Sequence, residues 1–171
     1  MWLNPEIDMI FSIAGGEFMM EILPYLDFNL LKSVPPKYFQ GYSDNTNLTF
    51  PLATFCDTAS IYGKCPPEFG MEKWHKSLQD SFDFLLGNNK VVRSFKKYEV
   101  EHKNKTPGDE LKGYNLTEKT CWKSLTKEQN IKFTGRMIGG CLDCLLALCG
   151  TKFDNVKEFI EENIKEEGKH E

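Results

Sequence analysis

The chain has 171 residues, enough for one domain with a real core or for pieces of two. Its 40% hydrophobic and 13% aromatic content excludes a disordered polymer. A net charge of -4, with Lys and Glu mixed along the chain and no basic stripe, argues against binding to nucleic acid or to an anionic membrane surface. The longest nearly apolar stretch, residues 144–149, is far too short to span a bilayer. Glu6 and Asp8 precede Met9-Ile10-Phe11, the wrong order for a secretory signal. These features point to a cytoplasmic protein, whose six cysteines are expected as reduced thiols packed like small apolar residues.

In chain order, residues 7–14 form an apolar run closed by Gly15-Gly16, which predicts a buried strand entering a tight turn. Phe18, Met19, Ile22 and Leu23 fall at helical spacing before Pro24. Asp27 is placed to cap a short helix through Leu30 and Leu31, stopped before Pro35-Pro36. Residues 38–42 read as a second strand. Ser43-Asp44-Asn45-Thr46 follows at once, rich in capping residues, and opens a helix towards Asp57 in which Pro51 is an awkward member. Residues 59–62 make a third short strand. This alternation predicts an α/β unit with parallel strands, a partial flavodoxin- or Rossmann-like sheet. Ligands in such sheets bind at the carboxyl ends of the strands, where both Gly15-Gly16 and Ser43 fall.

Further on, Trp74, Leu78, Phe82, Leu85 and Leu86 make an amphipathic helical stripe ending at Gly87. Residues 88–130 are polar and Lys-rich, a connector with one or two irregular strands. Ile131, Phe133, Gly135 and Met137 alternate with polar residues, the pattern of a half-buried strand. Gly139-Gly140 opens an apolar helix over residues 141–149, ended by Gly150. Asp154 caps a last amphipathic helix whose buried face is Val156, Phe159, Ile160 and Ile164. The acidic tail over residues 161–171 reads as a solvated helix face. The expected organisation is a partial N-terminal α/β domain over residues 1–87, the connector over 88–130, and the start of a second α/β domain over 131–171.

Three sets of residues carry possible chemistry. Ser43, between a strand and a helix, is on local grounds most often a helix N-cap. The alternative is a nucleophile turn, in which a sharp bend lifts the hydroxyl over the sheet edge and the helix start offers N–H donors to an oxyanion. Gly15-Gly16 is open in the same way: a turn that needs positive φ, or a backbone that must approach a ligand closely. Cys141-x-x-Cys144 suggests a metal or redox site, but no second Cys/His pair lies at zinc spacing, so packing is the simpler account. His75, His102 and His170 have no motif around them and read as surface histidines.

Ile13-Ala14-Gly15-Gly16, Leu23-Pro24-Tyr25-Leu26-Asp27 and Gly41-Tyr42-Ser43-Asp44 together resemble the N-terminal domain of the LD-carboxypeptidase family of serine peptidases. That family includes the microcin C immunity peptidases. Tyr62-Gly63 and Gly135-Arg136-Met137-Ile138-Gly139-Gly140-Cys141-Leu142 resemble its segment leading into the C-terminal domain. The resemblance implies a cytoplasmic Ser-His-Glu hydrolase, without metal or organic cofactor, acting on a cell-wall tetrapeptide or a peptidyl-nucleotide antibiotic. Ser43 matches the nucleophile. The backbone N–H of Asp44, and one in the Gly15-Gly16 turn, match the oxyanion hole.

The departures shape the expectation as much as the matches. In the family a strand and helix precede the segment that here begins at Met1, and the triad glutamate and histidine lie beyond the point matching Glu171. Lys64 stands where the family usually has proline. An incomplete enzyme is therefore expected, inactive or weakly active alone, since loss of triad members lowers turnover by roughly 10⁴–10⁶. Its open sheet edge predicts association with a second copy or a complementing chain. The rival readings are a non-catalytic α/β remnant or binding module with Ser43 as an N-cap, and a redox or metal protein built on Cys141 and Cys144.

Overall fold

The computed structural model describes the backbone of residues 1–101, 106–125 and 131–167, with side chains to residue 163. His102 and His170 lie outside what is described, as does the side chain of Ile164 at the far end of the last helical face. Three parallel strands form the central sheet in the order β1-β2-β3: β1 (Met9–Phe11), β2 (Tyr38–Gly41) and β3 (Ile61–Tyr62). Met9 pairs with Tyr38, Phe11 with Gln40, and Gly41 with Tyr62, so the strands end side by side. The predicted α/β class with a parallel sheet is what the chain adopts.

Between β1 and β2 the chain makes a 3₁₀ helix (Met19–Tyr25) and the short helix α1 (Phe28–Lys32). The 3₁₀ form accommodates Pro24, and only Leu23 of its apolar residues is buried. Asp27 caps α1 as expected, its carboxylate accepting from the Leu30 N–H at 3.0 Å. After β2, a 3₁₀ turn (Ser43–Asn45) leads into α2 (Thr46–Cys56), which continues through Pro51 and ends on Asp57 in the left-handed region at φ 50°. Helix α2 is the hub of the core. One side buries Leu52 and Cys56 with Phe39 of β2; another buries Phe50 with Leu23 and Leu148.

Leu148 belongs to α4 (Leu142–Leu148), and α5 (Val156–Glu167) follows it. Both pack on α2, and Asn155 donates to the Thr54 carbonyl at 2.8 Å. Asp154 accepts from the Val156 and Gly150 N–H groups, which holds its carboxyl below the usual range. Gly150, at φ 71°, ends α4 as expected, and Phe159 is buried while Ile160 is largely exposed.

By compactness the described chain divides into residues 1–66 with 137–171, and residues 67–136. Composition drew its boundaries at 87 and 130 on different grounds. Within the second unit, α3 (Lys76–Leu85) buries Leu78 completely, and Gly87 follows at φ 74°. Trp74 precedes the helix, where its indole N–H donates to the Phe69 carbonyl at 2.9 Å. The expected irregular strands are β4 (Lys97–Tyr98) and β5 (Glu118–Lys119), an antiparallel pair.

One expectation fails here. The alternating segment from Ile131 to Met137 forms no strand, and Phe133 and Met137 are 89% and 95% exposed. Alternation makes a strand only where a neighbour satisfies the backbone, and among the described residues no strand lies beside it. The thiols also depart in part from expectation: none of the six cysteines forms a disulfide, but Cys121 and Cys149 are exposed.

Because Leu52 is fully buried at the hub, Leu52→Ala should destabilise the protein by about 2–5 kcal/mol, measured by denaturant unfolding.

Candidate functional site

Strand β2 places Gly41 and Tyr42 at its exit, and the chain then bends sharply. Ser43 has φ 59°, a left-handed conformation that L-residues other than Asn and Asp rarely take. It is not the helix cap: Tyr42 flanks the 3₁₀ turn, Asn45 flanks α2, and neither makes a side-chain cap bond. The helix-cap reading of Ser43 is corrected on that ground. Its own N–H donates to the Tyr62 phenol oxygen at 3.0 Å. Its carbonyl accepts from the Cys144 thiol at 3.7 Å.

The Gly15-Gly16 turn comes up against this bend. A Cβ on Gly15 would lie 3.2 Å from Ser43 Cβ and 3.5 Å from its Oγ; one on Gly16 would lie 3.5 Å from Asp44 Oδ2. Neither glycine has positive φ, so close approach explains Gly15 better than backbone freedom does. Structure thus brings together all four residues singled out from the sequence: Gly15, Gly16, Ser43 and Asp44.

What fixes them is a set of polar side chains that sequence reading took only for cap formers. Asn45, 1% exposed, donates through Nδ2 to the Ala14 carbonyl at 3.0 Å and the Tyr42 carbonyl at 2.9 Å. Gly41 makes room for it, since a Cβ there would sit 2.7 Å from Asn45 Cγ. The buried Asp44 carboxylate accepts from the Met19 N–H at 2.9 Å and from Asn47 Nδ2 at 2.8 Å. Thr46 is buried, and its Oγ1 accepts from the Cys141 N–H at 2.9 Å. A Cβ on Gly140 would fall 2.4 Å from Thr46 Cγ2, which explains glycine at that approach. The sequence carried no separate signal for this role, since a run of four polar residues before a helix reads equally as a set of cap formers.

The other candidates resolve differently. His75 caps α3, its ring accepting from the Ser77 N–H at 3.2 Å and packing edge-on against Phe95 and Tyr114. Cys141 and Cys144 lie close together at the start of α4, but burial and the neighbouring thiol push the Cys144 pKa up to about 11. That is the opposite of a redox-active thiol. No cluster of three or more metal-ligating side chains occurs among the described residues. None of their helices is long and apolar enough to cross a membrane. An open groove of ≈ 730 Å³ runs along α5 and its preceding turn, lined by Gly150, Asp154 and Lys157, and includes no residue of the β2–α2 turn.

Fold and bend define an α/β domain with a parallel sheet and a strained serine at a strand exit. Residues 1–63 match the family model described as the LD-carboxypeptidase N-terminal domain. It is 28% identical over 159 residues to the microcin C7 self-immunity protein MccF of Escherichia coli, covering 88% of this chain and 44% of that one. A Streptomyces coelicolor protein bearing a provisional carboxypeptidase name is 29% identical over 62 residues, 36% of this chain and 20% of its own length. The solved structure of MccF with adenosine monophosphate superposes with a TM-score of 0.61 at 25% identity, over 89% of this chain and 46% of that one. MccF with aspartyl sulfamoyl adenosine gives 0.60 at 25% identity over the same shares. The chain thus spans less than half the length of the relatives it matches.

Two outcomes check this geometry. Asn45→Ala removes the side-chain donor that the Ala14 and Tyr42 carbonyls share, leaving them only the Ser12 hydroxyl and the Asn45 N–H, and should cost about 1–3 kcal/mol in unfolding experiments. At pH 8 a thiol of pKa about 11 is roughly 0.1% ionised, so iodoacetamide should alkylate exposed Cys121 well before Cys144, read by peptide mass mapping.

Proposed function

We propose that the protein is a serine-type hydrolase of the LD-carboxypeptidase kind, with Ser43 as nucleophile. The observation that carries this is the left-handed Ser43 between β2 and α2, a conformation that neither capping nor burial of its side chain calls for. Backbone strain of this sort costs about 1–3 kcal/mol and persists where surrounding contacts over-determine it. A nucleophile elbow is one such place, because the bend lifts the hydroxyl clear of the sheet.

In this reading Ser43 Oγ attacks the carbonyl carbon of a substrate amide, and its proton passes to a base. The carbonyl electron pair becomes an oxyanion, stabilised by the Asp44 N–H and by one N–H of the Gly15-Gly16 turn. Collapse of that intermediate expels the amine, which takes the proton back from the base, and leaves an acyl-serine ester for water to hydrolyse. The base and its acidic partner are assigned to none of the described residues, and His75 is engaged as a cap of α3. The substrate class is a small peptide amide, either a cell-wall tetrapeptide or a peptidyl nucleotide. The MccF complex with aspartyl sulfamoyl adenosine supports the second branch.

A fluorophosphonate probe should label Ser43 when the segments that supply the base are present, in cis or in trans, and Ser43→Ala should abolish the label. A protein so completed that stays unlabelled while a known serine hydrolase in the same tube reacts would remove the basis of this reading. Within it, Gly15→Val should cut the labelling rate by at least about tenfold, because its side chain intrudes where Ser43 Oγ lies.

A further inference from the structure

We infer that Tyr62 is a positioning residue for Ser43, holding the serine's backbone N–H and thereby the strained bend, an inference that rests on the nucleophile reading above. Tyr62 ends β3 directly beside Gly41, the last residue of β2. Its ring packs edge-on against Tyr42, with centroids 6.4 Å apart and planes at 77°. That arrangement carries the phenol oxygen to 3.0 Å from the Ser43 nitrogen.

Burial does not explain the tyrosine, since it is 51% exposed. Nor does the ring contact, which phenylalanine would make equally well. The hydroxyl is the distinguishing group, and the atom it engages is the amide of the one strained residue in the turn. A phenol oxygen that accepts this N–H keeps its own O–H free to meet water, so the contact leaves no buried polar atom behind.

Two consequences follow for the chemistry. With Ser43 at φ 59°, rotation of its peptide back towards the common region would relieve strain and swing Oγ away from Gly15. The bond to Tyr62 opposes that rotation from the β3 side, as Asn45 opposes it from the β1 side. The Ser43 N–H is also committed to the phenol, so the oxyanion donors are narrowed to Asp44 and the Gly15-Gly16 turn. Tyr62 acts through Ser43 and touches no reacting atom.

The test compares Tyr62→Phe and Tyr62→Leu with wild type in the native protein, by fluorophosphonate inactivation kinetics and by residue-resolved amide hydrogen exchange. Tyr62→Phe should speed exchange at the Ser43 amide by about tenfold, leave the β2 amides unchanged, and lower the maximal labelling rate about three- to tenfold at unaltered probe affinity, the factor one ordinary hydrogen bond corresponds to. Unchanged Ser43 exchange overturns the inference. So does faster exchange with an unaltered labelling rate, or a loss confined to Tyr62→Leu, which would assign the effect to ring packing. A wild type that does not label even with the segments that supply the base present defeats the nucleophile reading itself, and the positioning role with it, whatever the exchange shows.

Discussion

The side chain of Asn45 joins two strand exits that would otherwise be independent. One amide group reaches the carbonyls of Ala14, past β1, and Tyr42, past β2, from a site closed to solvent. Two bonds from a single buried donor fix both distance and orientation, because the amide cannot turn away from either carbonyl without leaving its own buried N–H groups unpaired. Gly41 is required by this arrangement, and so is the close passage of Gly15 against Ser43. Asp44 adds a parallel tie to Met19. The left-handed serine is therefore held from several directions, the condition under which strain survives in a folded protein.

The same polar layer links the bend to the rest of the first unit. Thr46 accepts from Cys141, and the Cys144 thiol donates to the Ser43 carbonyl, so α4 docks on the start of α2 some 95 residues away in sequence. Below this layer the core is apolar, with Leu52 and Phe50 of α2 facing two clusters. Hydrophobic burial sets the stability of α2, and the polar layer above it sets the shape of the turn. A helix that carries Pro51 midway is affordable because its packing outweighs one missing N–H.

Much of the fold was legible in the sequence, for physical reasons. Short apolar runs closed by glycine or by cap-forming residues gave β1, β2 and β3 close to their places, though β1 spans only Met9–Phe11 of the run over residues 7–14 and is not the buried strand expected; Asp27 gave the start of α1. The alternating stretch from Ile131 to Met137 misled because alternation reports a side-chain pattern and not the presence of a partner strand. Gly15, Gly16, Ser43 and Asp44 were found by their places at strand ends and by family resemblance. Asn45, Thr46 and Tyr62 were not, since their roles are tertiary: a cap former and a buried staple have the same composition. The strain at Ser43 was likewise invisible, because backbone conformation is set by contacts from three other segments.

The most direct measurement is a crystal structure of the native protein after phosphonylation at Ser43. The account predicts the phosphonyl oxygen within about 2.7–3.1 Å of the Asp44 N–H and of an N–H in the Gly15-Gly16 turn, with the Ser43 N–H still on Tyr62. A phosphonyl oxygen turned to solvent, or bonded to the Ser43 N–H in place of Tyr62, would contradict it.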